Sequence, residues 1–222
     1  MFGIILTIIA FEIGVSIRNK WRNPLLNPIL IATILIIGFL TITGISYDTY
    51  KVGGDYISFF LGPVTVLLAV PLYRHIQALK KNWLPILAGI FVGSTTSVIC
   101  VIACAKVFGL SKTLMLSLLP KSITIPMGSV FSEQIGGIPS ITIVSIVITG
   151  ITGAVTAPLV CRYFRIKNPV AQGVAIGTAS HALGTTKAME IGEIQGAMSS
   201  LSIGVAGVVT VFITPILLKF FG

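Results

Sequence analysis

The chain has 222 residues, of which 55% are hydrophobic and 9% charged, with a mean hydropathy of +1.02. A soluble domain carries about 25% charged residues, so the composition excludes an ordinary globular protein and points to an all-α polytopic membrane protein. The net charge of +9 would suggest nucleic acid in a soluble chain. Here the basic residues lie in short loops, where they report topology, and no nucleic-acid partner is expected.

Residues 1–222 read as a single membrane domain, with no polar stretch long enough for a second. Cys100, Cys104 and Cys161 lie in or beside apolar runs without CxxC spacing, which argues against a disulfide framework or a metal site. No cleavable signal peptide is expected, because the positive flank of the first apolar run follows it.

In chain order, Phe2 to Ile17 forms the first apolar run, with Glu12 inside it. Arg18, Lys20 and Arg22 follow and place that loop in the cytoplasm. Pro28 to Ile45 is the second span, and its exit loop holds Asp48, Lys51 and Asp55. Ile57 to Tyr73 is the third, interrupted by Gly62, Pro63 and Pro71, and closed by Arg74, Lys80 and Lys81. Leu84 to Ala105 is the fourth, with Gly89 and Gly93 spaced for close helix contact.

A broken segment comes next. Thr113 to Leu119 and Met127 to Ile135 read as half-helices around residues 120–126, where Pro120 and Pro126 each remove a backbone donor. Pro139 to Val160 is a full span ending at Arg162, Arg165 and Lys167. Pro169 to Ala179 and Lys187 to Ile194 flank a second break, Ser180 to Thr186, before the last span, Ala197 to Phe220. The expected architecture is about six full spans plus two broken or re-entrant segments.

Behind the N-terminal spans (1–83), residues 84–141 and 144–201 share features at an offset of 60 residues. Gly93 matches Gly153, Glu133 matches Glu193, Gly136 matches Gly196 and Ser140 matches Ser200. If the first broken segment crossed the membrane, the basic 162–167 loop would lie outside. If it dips in and returns, that loop lies inside and the two halves form an inverted repeat, which the positive-inside bias favours.

A half-helix that begins at depth aims unpaired N–H groups and a partial positive charge into the membrane interior, which suits a carboxylate. Pro126 fits the opening turn of the second half-helix and Thr124 can cap it. Lys121, Ser122 and Thr124 at the first break, and Ser180, His181, Thr185 and Thr186 at the second, are the candidate substrate-binding residues. Gly184 allows close backbone approach. Glu133, Glu193 and His181 are candidates for proton coupling.

Each has a plainer reading. Lys121 and Lys187 could snorkel, His181 could be a packing histidine, and Glu133, Glu190 and Glu193 could mark wet helix ends. Thr95, Thr96 and Ser97 could bond back to their own helix. No GxSxG, HExxH or Walker sequence appears, so neither enzyme activity nor a cofactor is expected.

Five stretches carry a family resemblance: Leu-Gly-Pro-Val-Thr-Val-Leu-Leu-Ala-Val-Pro-Leu-Tyr (61–73), Leu-Pro-Lys-Ser-Ile-Thr-Ile-Pro-Met (119–127), Ser-Glu-Gln-Ile-Gly-Gly-Ile-Pro-Ser (132–140), Gly-Thr-Ala-Ser-His-Ala-Leu-Gly-Thr-Thr-Lys-Ala (177–188) and Gly-Ala-Met-Ser-Ser-Leu (196–201). Together they resemble the LrgB/CidB/YohK family of bacterial inner-membrane proteins over essentially the whole chain. Ala182 stands where that family often has glycine, and Ala206-Gly207 where it often has asparagine-glycine.

The resemblance implies two functions. One is a holin- or antiholin-like regulator of murein hydrolase export and lysis. The other, with a small LrgA/CidA-type membrane partner, is carriage of small carboxylates such as pyruvate, as in plant glycolate/glycerate carriers that fuse the two halves. Broken segments are costly in lipid unless they line a cavity. The reading preferred from sequence is therefore a secondary transporter of small monocarboxylates in the inner membrane, multi-pass and homo-oligomeric.

Overall fold

The computed structural model describes residues 1–21, 26, 28–60, 63, 73 and 76–221. Among these residues the ordered elements are nine α-helices and one 3-10 turn. The chain divides into two compact units, Met1–Leu67 and Leu68–Gly222.

The first unit holds α1 (Phe2–Trp21), α2 (Pro28–Thr43) and α3 (Tyr47–Phe59). The helices approach closely through glycine. Gly53 lies on the backbone of Gly3, where an added Cβ would come within 2.7 Å, and Gly14 abuts Pro28. Thr7 Oγ1 donates to Gly3 O at 2.7 Å and meets the Tyr50 hydroxyl at 2.9 Å.

The stretch holding Asp48, Lys51 and Asp55 was expected to be a loop. It is helix α3, started by Ser46, whose side chain accepts from Thr49 N, with Asp48 in the first turn. Most of the expected third span, 57–73, lies outside the described residues.

The second unit holds α4 (Ile76–Val107), α5 (Lys112–Leu118), the 3-10 turn (Leu119–Ser122), α6 (Ile125–Gln134), α7 (Pro139–Tyr163), α8 (Pro169–Ile191) and α9 (Glu193–Phe221). Helix α4 begins earlier than the apolar run that predicts it and kinks at Asn82, just before Pro85. Among the described residues, four helical stretches are long and apolar enough to cross a membrane: Phe2–Trp21, Lys80–Val107, Pro139–Tyr163 and Glu193–Phe221.

Two apolar clusters hold this unit together. One joins Val98, Val101, Ile102 and Ala105 of α4 to Met115, Leu116 and Leu119. The other joins Ile86 and Ile90 of α4 to Val174, Ala197, Met198 and Ala206. Along α4 the order is apolar cluster, then Ser94 and Ser97, then apolar cluster.

Candidate functional site

Both broken segments fold back on themselves. In the first, α5 gives way to the 3-10 turn, Ile123 and Thr124 are extended, and α6 begins with Pro126 in its first turn. The exit of α6 returns beside α5: Ile138 N donates to Ser117 Oγ at 2.7 Å, and Thr142 Oγ1 donates to Ser117 O at 2.7 Å. Thr142 also meets Ser132 Oγ at 2.6 Å, and all three side chains are fully buried. These bonds clamp the mouth of a hairpin at the start of α7. Gly136, at φ 85°, supplies the left-handed residue that the exit turn requires.

The second hairpin reverses at one residue. His181 has φ 42° and ψ −140°, and the residues on either side of it are helical. Its arms pack antiparallel, Gly184 lying against Ile176. At its mouth the outgoing chain lies beside the incoming arm, Gln195 Nε2 donating to Gln172 Oε1 at 3.0 Å. The break was expected to span 180–186. It is narrower, because the following turn of helix resumes at once.

Helix α7 shows how the hairpins relate. The first opens at the helix start, at Ile138 and Thr142, and its Gly128 reaches Ile146 Cδ1. The second opens beyond the other end, where Gln172 Nε2 donates to Ile166 O at 2.7 Å. Its incoming arm runs back along α7, Ser180 meeting Gly153 and His181 meeting Gly150.

The His181 ring spans the remaining gap, with Nε2 2.9 Å from Ile146 O. A carbonyl can only accept, so Nε2 carries the proton. The tips thus meet at Ile146–Gly150, roughly 10 Å from one end of α7 and 20 Å from the other at 1.5 Å per residue.

Helix α4 gives a second ruler. Gly89 and Gly93 receive Val174 and Thr178 of the second hairpin, at 3.5 and 3.0 Å from an added Cβ. One turn on, Ser97 Oγ lies 2.9 Å from Ser122 Oγ of the first hairpin. Lys121 Nζ donates to Ser97 Oγ and Ser122 Oγ, both at 3.2 Å. Lys121 is half-buried and makes no ion pair among the described residues.

The remaining candidates fall into three groups. Thr124 stands at the N-cap of α6, but its side chain makes no capping bond, contrary to expectation. Thr185 is buried and internally bonded, to His181 O at 3.0 Å and to Ser199 Oγ at 2.7 Å. Thr186 is exposed and bonds Ala182 O at 3.3 Å, while Lys187 pairs with Glu190 at 2.8 Å.

Glu133 and Glu193 are exposed, at the exit of the first hairpin and of the second. Two residues outside the predicted set join the tips. Ser97 looked like a hydroxyl that bonds back to its own helix, yet it faces Lys121. Ser199 braces Thr185 from α9. Met127 of α6 covers Gly207 of α9, so α9 touches both hairpins.

The long apolar helices and the two opposed hairpins define the class: a helical membrane protein with interrupted segments converging inside it. The LrgB-like family model matches residues 7–220, and the chain belongs to that family. It is 40% identical over 222 residues, all of this chain and 96% of the relative, to the antiholin-like protein LrgB of Bacillus cereus (strain B4264). The protein of the same name from Bacillus anthracis (strain CDC 684 / NRRL 3495) matches at the same 40% and the same coverage. No solved structure matches.

Proposed function

We propose that the chain is a multi-pass secondary transporter of small monocarboxylates, pyruvate- or glycolate-like, in the cell membrane. The observation that supports it most is Lys121, an ammonium without an acidic partner among the described residues, held by two hydroxyls where the hairpin tips meet. A charge in apolar surroundings calls for a counter-charge, and a carboxylate supplies one. Ser97 and Ser122 then accept from the lysine, and the hydroxyl proton not used in the bond between them is donated to the anion.

The apolar clusters on either side of this polar layer act as two gates. Movement of one hairpin against α4 opens one side, and movement of the other opens the opposite side, as in inverted-repeat carriers. The start of α4, with Lys80 and Lys81, lies at the same end as Arg162, Arg165 and Lys167, because the second hairpin's incoming arm runs parallel to α4 and antiparallel to α7. Positive-inside bias makes that end cytoplasmic. Glu133 and Glu193, at opposite mouths, are the coupling groups, and a small LrgA/CidA-type membrane protein is the partner.

A second reading, an antiholin-like regulator of murein hydrolase export, has more direct support from the names of the relatives at 40% identity. One experiment separates the two. Proteoliposomes holding this chain, with and without the partner, are loaded with a trapped dye and offered labelled pyruvate. Transport gives saturable uptake with the dye retained. The regulator reading gives dye release, or no flux, with no saturation by any carboxylate.

A further inference from the structure

Buried hydroxyls in the second unit are mostly spoken for. Ser202 and Thr214 each donate to the carbonyl four residues back, at 2.7 Å. Two are different: among the described residues Ser94 Oγ and Thr178 Oγ1 have no hydrogen-bond partner, although they are only 2% and 5% exposed. A helical serine or threonine can bond its own i−4 carbonyl, as neighbouring Thr95 does to Phe91 O at 2.7 Å. These two have forgone that bond.

Thr178 lies in the α4 contact with the second hairpin, where Gly93 receives its methyl, and Ser94 is the next residue along α4. Ser94 is one turn from Ser97, the residue that holds Lys121. On the other side lies the dry cluster of Ile86, Ile90 and Val174. An unpaired buried donor is destabilising, and two beside one contact mark a place for a polar group that is not part of the chain.

Building on the carboxylate-transport reading, we propose that Ser94 and Thr178 determine specificity: they bind the 2-hydroxyl or 2-oxo oxygen of an acid whose carboxylate rests on Lys121, Ser97 and Ser122. Side chains three apart on a helix are about 5–6 Å apart at Cβ, a separation that a two- or three-carbon acid spans. An unsubstituted acid of the same length leaves both donors unpaired and is rejected, as sites built around a substrate hydroxyl reject analogues lacking it.

The test is competition against labelled pyruvate bound by the purified full-length chain, with lactate and propionate as three-carbon competitors. The expected result is lactate displacing at least about tenfold better than propionate. A Ser94→Ala, Thr178→Val double variant binds label more weakly, through the carboxylate contacts alone, and loses most of that preference. Ser94→Cys, which keeps the shape and weakens the bond, shifts the ratio the same way if the double variant does not fold. Equal competition in the unaltered chain, or a preference that survives both substitutions, overturns the assignment and leaves an ordered water as the partner of the two hydroxyls. Failure of the unaltered chain to bind label at all is a separate result, which removes the transport reading beneath it.

Discussion

The two hairpins meet at the same level of α7 but are built in opposite ways. The first turns over several residues, between Pro120 and Pro126, and its tip presents Lys121 and Ser122 to α4. The second turns at His181 alone, and its polar groups from the turn onward are bonded within the protein: His181 to Ile146 O, Thr185 to Ser199, Thr186 to its own helix, Lys187 to Glu190. A wide turn with unspent donors is suited to holding a ligand. A tight turn with its donors spent is suited to being a rigid wall. The shared hairpin form therefore conceals a division of labour, and substitutions should separate binding from stability.

The largest effect is expected from filling the seat of the second hairpin. At Gly177 an added Cβ would strike the Ser199 backbone, with Ser199 Cα at 2.8 Å. Gly177→Ala should destabilise by roughly 1–3 kcal/mol, read as a lower midpoint in thermal unfolding in detergent. Next comes His181→Ala, which keeps an unfavourable positive φ and leaves Ile146 O without its donor. About 1–3 kcal/mol of stability should be lost, while carboxylate affinity in the protein that remains folded changes only a few-fold.

Lys121→Met should do the reverse, weakening carboxylate binding roughly 10- to 100-fold through loss of a charged donor with little change in unfolding midpoint. The smallest effects are expected at Thr186→Ala and Lys187→Ala, within about 0.5–1 kcal/mol of stability and without effect on binding. A large loss of binding at either would show that the outgoing arm of the second hairpin contributes donors after all.

Much of this geometry could be read from the chain. Pro120 and Pro126 forbid a continuous helix, so the first break sits where those residues place it. The basic pair at 80–81 and the 162–167 loop favour a segment that returns. Gly89 and Gly93 announce a close helix neighbour, which is the second hairpin.

Other features left no local signal. Asp48, Lys51, Asp55 and paired glycines look like a loop, but the Ser46 cap and the Gly3–Gly53 approach make them a helix. A reversal at a non-glycine residue is held by the distant Ile146 carbonyl, which local propensity cannot report. Whether Thr185 serves a ligand or Ser199, and whether Ser97 serves its own helix or Lys121, depends on which helix lies opposite. That is decided by packing, so the residue types were legible while their partners were not.

The most direct measurement is equilibrium binding of labelled pyruvate to the purified chain, compared with Lys121→Met at matched folded fraction. The expected result is saturable binding by the unaltered chain that falls at least about tenfold in the variant. Equal binding by the two, or none by either, would contradict the account.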